Sequence, residues 1–398
     1  MEFGDIKRAE LMASGLGLDI MQPINFKPPK TVPLKAISLA VAQKCNLGCS
    51  YCYAEQGSFG GNSEHMLPSV AKASIDRLIN QSQAGEAVTL AFMGGEPLTN
   101  CKTLHASCEY AAQQAAKREV PIGFTMTTNA TLIKPEDIAL FQKYKFTLTV
   151  SIDGLKEEND ALRPFLSGKG SFDRLSKNIK ALLATENRVF RVLARVTVTP
   201  KNTNLPYIMP GLLAMGFDQI MFSPMLSSPS GRDQMQAEDL DKLLDQLILC
   251  GEAFYAALEK GKILPLANVT TMLARIHNYK REQYPCGAGG GYMGVSAKGE
   301  LYACHRFVDD EAGHMGDISS GVDLDKQSSW LAQRNLQSQS PCTTCWARYL
   351  CSGSCHYETI KRGRPACDYI RGWAYHCLAL YTRISRDHGW ALKQLVAD

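Results

Sequence analysis

Between about residues 34 and 223 the chain alternates short runs of β-branched and small apolar residues with longer stretches whose apolar positions recur every three or four residues. The runs 35–42, 87–93, 122–128, 146–152, 192–199 and 218–223 read as strands, and the stretches 69–82, 101–117, 135–143, 171–185 and 204–215 between them read as helices. Strands alternating with helices predict a parallel α/β sheet or barrel, here with six β/α units, two short of closure. In such folds the chemistry collects at the C-terminal ends of the strands, so the residues just after each run are the first candidates.

Residues 235–262 read as one amphipathic helix with acids early and Lys260 beside the closing Gly261, as the helix dipole prefers. Past residue 285 the pattern changes to short strands, glycines and cysteines. The expected organisation is an extended lead-in over 1–33, a partial (β/α)6 TIM-type barrel over 34–233, a helical connector over 234–284, and a small cysteine-rich α+β domain with a C-terminal helix over 285–398. Such a small domain draws its stability from metal more than from apolar area.

Composition narrows this picture. The 398 residues exceed what one core usually serves, which agrees with two domains. A net charge of +4 is too small and too scattered for a nucleic-acid footprint, and no apolar run approaches the length of a membrane span. The start, MEFGDIKRAELMASG, lacks a signal-peptide core, so a cytoplasmic location is expected and the sequons at Asn129 and Asn268 are read as accidental. Cysteine stands out, with fourteen in the chain, three at 45–52 and eight between 286 and 377. Clustering without an export signal points to metal rather than disulfides. Cys101, Cys108 and Cys250 read as small core hydrophobes.

Directly after the first strand lies Cys45-x3-Cys49-x2-Cys52, on the loop at the expected catalytic rim. Three thiolates can hold three irons of a four-iron cluster and leave one iron with an open position. The competing reading is three buried or zinc-binding cysteines, but the second C-x-x-C or H-x-H pair expected of a zinc site is missing here. At this point the chain resembles the radical S-adenosylmethionine (SAM) superfamily over about residues 35–225, including the aromatic Tyr51 before the last cysteine. The resemblance implies that Gly94, Gly95, Glu96 and Pro97, after the second strand, receive the SAM amino group. It also implies that Asn129, Ser151, Asp153 and Arg195, on the next three strands, help bind SAM, its carboxylate and ribose included. Ala130 departs from the glycine that the family often carries at that place.

The later cysteines run Cys286-x12-Gly299-x4-Cys304, then Cys342-x2-Cys345-x5-Cys351-x3-Cys355, then Cys367 and Cys377. This looks like a SPASM domain, named for the peptide and protein maturases that carry it. Eight thiolates divide into two sets of four, enough for two auxiliary 4Fe-4S clusters, which makes three clusters in all. In relatives Cys286, Cys304 and Cys355 would serve one cluster and Cys342, Cys345 and Cys351 the other, while the placing of Cys367 and Cys377 stays open; a pair of zinc sites is the alternative. Gly289–Gly294 matches G-x-G-x-x-G by letter but lacks the preceding strand and following helix of a dinucleotide site.

The resemblance implies reductive cleavage of SAM to a 5′-deoxyadenosyl radical, with the auxiliary clusters as an exit for a further electron from the substrate. Within the group, Ala303-Cys304-His305-Arg306-Phe307 looks more like maturases that cross-link ribosomally made peptides, through thioether or carbon–carbon bonds, than like anaerobic sulfatase maturases, where an Asp base typically follows that cysteine. Candidate bases are His305 and Asp310, with Asp309 able to approach in the fold. A non-catalytic iron–sulfur or zinc scaffold that binds a peptide is the reading from another class. The expected partners are a peptide or protein substrate and an electron donor such as flavodoxin or ferredoxin; because 44 residues before Cys45 are too few for a leader-binding domain, either a separate leader-binding protein delivers the peptide or the substrate is gripped directly, by pairing with an exposed strand edge. Neither nucleic acid nor membrane is expected as a partner.

Overall fold

Six parallel strands form where the alternation places them, within one or two residues at each end: β1 (Ala36–Ala42), β2 (Val88–Gly94), β3 (Ile122–Thr128), β4 (Thr147–Ser151), β5 (Arg191–Val198) and β6 (Gln219–Pro224). The structure is a computed structural model and describes residues 24–278 and 281–395. The strands lie in the order β1-β2-β3-β4-β5-β6, and the sheet does not close.

Alternation decides which face each side chain takes. In β3, β4 and β5 the buried residues Phe124, Met126, Leu148, Val150, Val192, Ala194 and Val196 join the main core. The intervening Thr125, Thr127, Thr149 and Ser151 are half-buried on the opposite face, and Arg195 there is exposed. Register carries this row across the sheet, pairing Thr127 with Thr149 and Ser151 with Arg195, and Arg195 with Met221. Closed barrels fill that face with bulky branched residues. Small hydroxyls leave it room.

Helices α1 (Pro68–Asn80), α2 (Cys101–Lys117), α3 (Pro135–Lys143), α5 (Phe172–Leu183) and α6 (Leu205–Met215) follow the predicted periodicity. A short α4 (Lys156–Leu162), which the apolar pattern does not announce, separates β4 from α5. The connector is two helices, α7 (Ala237–Leu258) and α8 (Ala267–Asn278). Between them Leu266 bridges to Ile220, and the Asn268 amide donates to the Phe222 carbonyl at 2.8 Å and accepts from its N–H at 2.9 Å. This covers the free edge of β6, the exposed row of backbone groups that a sheet edge must protect.

The cysteine-rich half is not a separate sheet. Strand β7 (Tyr292–Val295) adds to β1 in parallel, and β8 (Glu300–Tyr302), β9 (His314–Asp317) and β10 (Gly321–Val322) continue antiparallel, so all ten strands are one sheet. The glycines at 289–291 form the turn into β7. Helices α9 (Leu324–Arg334), α10 (Arg348–Cys351), α11 (His356–Arg362), α12 (Cys367–Asp387) and α13 (Gly389–Leu395) complete the described chain. Cys108 and Cys250 are core residues, while Cys101 is half-buried at the start of α2. Of the lead-in, residues 1–23 lie outside the described residues, and 24–35 carry no helix or strand. No helix among the described residues is long and apolar enough to cross a membrane.

Ala130, where the resemblance expected glycine, has φ of 56° and is fully buried. The left-handed region costs a non-glycine residue about 1–2 kcal/mol, which explains the preference for glycine. Ala130→Gly should therefore be neutral to within about 1 kcal/mol, because relief of strain offsets the lost methyl and the added chain entropy. Ala130→Val should cost about 2–4 kcal/mol in urea unfolding. Equal destabilisation by both would contradict this account.

Candidate active site

The loop carrying Cys45, Cys49 and Cys52 leaves the end of β1 and returns to it, with the Gln43 N–H bonded to the Glu64 carbonyl at 2.8 Å and the Met66 N–H to the Val41 carbonyl at 3.0 Å. All three thiols are free and each lies within electrostatic reach of another. They pack with Leu47, Tyr51, Leu162, Phe165 and Met225 in a small cluster apart from the main core. The Leu47 N–H points at the Cys45 sulfur from 3.4 Å and the Asn129 amide from 3.8 Å. Burial pushes the Cys45 thiol up to about 11 and the Cys49 thiol up to about 12, so the bare loop carries protons that a metal load displaces.

Strand ends hold this loop from beneath. At the end of β2 the Gly95 N–H bonds the Ala42 carbonyl at 2.8 Å and the Glu96 N–H bonds the Lys44 carbonyl at 2.9 Å. A Cβ on Gly94 would stand 2.3 Å from the Ala42 oxygen, and one on Gly95 2.5 Å from the Lys44 oxygen. Both glycines are thus required by the cysteine loop itself. Glu96 is fully buried; its carboxylate accepts from the Asn129 N–H at 2.7 Å, the Thr128 hydroxyl at 2.8 Å and the Leu98 N–H at 3.1 Å, while Pro97 opens a short 3-10 turn. Asn129 in turn donates to Asn46 at 2.9 Å.

Asp153, expected from the resemblance to help bind SAM, is fully buried and positions the loop. One carboxylate oxygen receives the Thr197 N–H at 2.8 Å; the other takes the Tyr51 hydroxyl and faces the Arg163 guanidinium at 3.5 Å, and Arg163 also donates to the Tyr51 oxygen. Burial pushes the Asp153 carboxyl up and Arg163 opposes it. Ser151 and Arg195 are the predicted SAM contacts left on the open face. Arg163 had no sequence signal beyond a basic residue between the apolar Leu162 and Phe165. Tyr292 and His305 form a further pair on that face, the tyrosine hydroxyl 2.7 Å from His305 Nδ1. Strict alternation in Tyr292-Met293-Gly294-Val295 could have placed Tyr292 there.

Seven of the eight later cysteines gather in two places. Cys342, Cys345, Cys351 and Cys367 line one small pocket with Arg348, Arg364 and Arg371. Two buried nitrogens of Arg348, Nε and Nη2, have no protein acceptor, which suits the sulfides of a cluster. Cys286, Cys304 and Cys355 act on one another electrostatically in a second place. Ser352, Gly353 and Ser354 all have positive φ, and this sharp turn sends Cys351 to one set and Cys355 to the other. Cys377 joins neither. No group of three or more His, Cys, Asp or Glu among the described residues closes to single-ion spacing, so the cluster reading rests on this donor grouping.

Between the halves opens a cavity of about 440 Å³ lined by Tyr53, Ser227, Arg306, Asp310, Tyr357 and Lys361 among others. The Tyr53 ring is acted on by both Cys52 and Cys304 and lies 5.1 Å from the Arg306 guanidinium. Burial, then Arg306 and Arg195, pushes His305 down to about 3, so its imidazole is neutral. Asp310 pairs with Lys361 at 2.5 Å and caps the Ala312 N–H; Asp309 accepts from Gln43 at 2.7 Å. Both acids are therefore already partnered. Asp153→Asn should cost about 3–5 kcal/mol by leaving Arg163 buried without its counter-charge, and should lower iron retention at the first loop. Unchanged urea unfolding would contradict the positioning role.

The sequence profile of the radical SAM superfamily matches residues 39–207. An uncharacterized protein of Methanocaldococcus jannaschii is 30% identical over 54% of this chain and 71% of its own length. A serine-type anaerobic sulfatase-maturating enzyme of Klebsiella aerogenes is 23% identical over 92% of this chain and 90% of its own. The radical SAM cyclopropyl synthase TigE of Paramaledivibacter caminithermalis is 23% identical over 85% and 72%. Among solved structures, tagged anSMEcpe with bound AdoMet superposes with a TM-score of 0.76 at 19% identity, covering 92% of this chain and 98% of that one, a likeness of fold. The six-stranded open sheet, the three-cysteine loop on its first strand and these relatives together make the chain a radical SAM superfamily enzyme.

Proposed function

We propose that this enzyme oxidises a side chain of a peptide or protein seated in the cavity between its two cysteine-bearing halves, and that the product is a new thioether or carbon–carbon bond within the substrate. The observation that carries the reading is the cavity itself, walled on one side by Tyr53 of the first cysteine loop and on the other by Arg306 and Tyr357 of the cysteine-rich half. Cys45, Cys49 and Cys52 would hold the SAM-binding 4Fe-4S cluster, and the later cysteines the auxiliary ones. When bound there, SAM supplies a 5′-deoxyadenosyl radical able to take hydrogen from an unactivated carbon.

The chain's own residues orient and enclose. Ser151 and Arg195 face the open side of the sheet, where the guanidinium suits a carboxylate. Tyr53, Phe59 and Tyr357 give the cavity its aromatic wall. His305 stands directly after Cys304, and its neutral imidazole is tied through Nδ1 to the Tyr292 hydroxyl. The absence of a carboxylate at residue 305 favours bond formation over formylglycine production. A second reading, formylglycine formation from Cys or Ser, is favoured by likeness to a sulfatase-maturating enzyme along nearly the whole chain. A reducing cytoplasm, a flavodoxin or ferredoxin as electron donor and a separate peptide-delivering protein are the setting this proposal implies.

Co-expression with a peptide encoded beside its gene, followed by mass spectrometry, tests the proposal. Loss of two hydrogens with a fragmentation-resistant ring supports cross-linking. Conversion of one residue to an aldehyde favours the second reading. An unmodified peptide, with SAM turned over in its presence, would count against peptide maturation.

A further inference from the structure

Four arginines stand around Cys342, Cys345, Cys351 and Cys367, and they come from separate parts of the chain. Arg334 ends α9, Arg348 opens α10, Arg364 lies in the loop before α12, and Arg371 sits one turn into that helix. Arg348, Arg364 and Arg371 line the small pocket together with the four thiols, and Arg334 acts on Cys342. Arg371 brings its own counter-charge, since its guanidinium pairs with Asp368. The other three are bonded to neutral groups among the described residues. Arg348 donates through Nη1 to the Thr343 carbonyl at 2.8 Å, Arg364 through Nη1 to the Gly353 carbonyl at 2.9 Å, and Arg334 through Nη2 to the Thr359 hydroxyl at 3.0 Å.

Arg334 and Arg364 also share one acceptor, the amide oxygen of the buried Gln339. The Gln339 amide nitrogen is turned back onto the Arg334 and Asn335 carbonyls, which fixes that oxygen between the two guanidiniums. Two cations drawn onto one neutral oxygen repel each other. Arg348 is 5% exposed, and its Nε and Nη2 have no acceptor; Arg334 Nε has none either. Buried charges of like sign are costly until an anion joins them. The place is therefore built for an anion, and four thiolates carrying an iron–sulfur cluster supply one whose sulfurs accept the free N–H groups. Elsewhere the balance differs: Arg306, which acts on Cys304, is already paired with Glu358.

We propose that Arg334, Arg348 and Arg364 raise the reduction potential of the centre held by Cys342, Cys345, Cys351 and Cys367, so that it takes up an electron more readily than its thiolates alone would allow. This rests on the iron–sulfur reading proposed above. An electron added to a cluster adds one negative charge, and uncompensated guanidiniums with N–H groups aimed at its sulfurs favour the more negative, reduced form. The arginines touch no substrate and act through the centre, as positioning residues. In that reading the centre is suited to accept the one electron that the substrate gives up, with a proton to solvent, as its new bond closes.

The test is a redox titration of the full-length protein, reconstituted without oxygen in a Cys45→Ala/Cys49→Ala/Cys52→Ala background and followed by electron paramagnetic resonance. Cys367→Ala identifies the signal of this centre by altering it. In Arg348→Met that signal should titrate lower: at one set potential the ratio of reduced to oxidised centre should fall about tenfold, about 59 mV for one electron, while the other auxiliary signal stays in place as the internal control. Arg348→Lys keeps the charge and should restore most of the difference, which a role in packing alone would not. Arg334→Met, at a half-buried position, should move the same signal the same way and reports even if Arg348→Met does not fold. Midpoints unmoved by Arg348→Met and Arg334→Met would overturn the proposal, as would a chain in which Cys367→Ala alters no iron signal. Protein that meets these expectations yet, with its Cys45 loop intact, releases no 5′-deoxyadenosine from SAM would sink the radical reading and leave the arginines' effect standing.

Discussion

The site depends on one constraint: a loop of three cysteines has to be held rigid at the mouth of a sheet, although almost none of its own backbone is in regular structure. The chain meets it with a buried charge pair. Tyr51, between the second and third cysteines, drops its hydroxyl onto Asp153 at the end of β4, and Arg163 closes the triangle. Charges this deeply buried are favourable only when fully paired, so the network allows a single arrangement of the loop. Glycines at the end of β2 add the second restraint by bringing two backbones closer than any side chain permits.

This constraint explains which parts could be read from sequence. Strand and helix positions were legible because period-2 and period-3.6 patterns are local, and the cysteine spacings were legible because ligand sets repeat on short loops. Roles that depend on long-range packing were not. Asp153 and Glu96 read as ligands for a small molecule; that each also accepts from backbone N–H groups and hydroxyls of residues distant in sequence is something no local pattern reveals. Arg163 left no mark because a lone basic residue in an apolar stretch looks the same exposed or paired. Cys377 was misleading for the opposite reason: its type matched the ligand set, while its helical phase and distance from Cys367 put it in the core.

The cysteine-rich half is continuous with the barrel in the most direct way, through β7 pairing with β1. That pairing extends the open face of the sheet past its first strand and brings Tyr292 and His305 into line with Ser151 and Arg195. The turn at 352–354 then parts neighbouring cysteines, Cys351 into the pocket lined by Cys342, Cys345 and Cys367 and Cys355 toward Cys286 and Cys304.

The central claim is that the Cys45 loop holds an iron cluster with one position open to SAM. Electron paramagnetic resonance of the anaerobically reconstituted, reduced protein, recorded with and without SAM, tests it most directly. The account predicts that SAM shifts one cluster signal and that this signal is missing from the Cys45→Ala/Cys49→Ala/Cys52→Ala variant. A spectrum indifferent to SAM, or purified protein carrying only zinc, would contradict it.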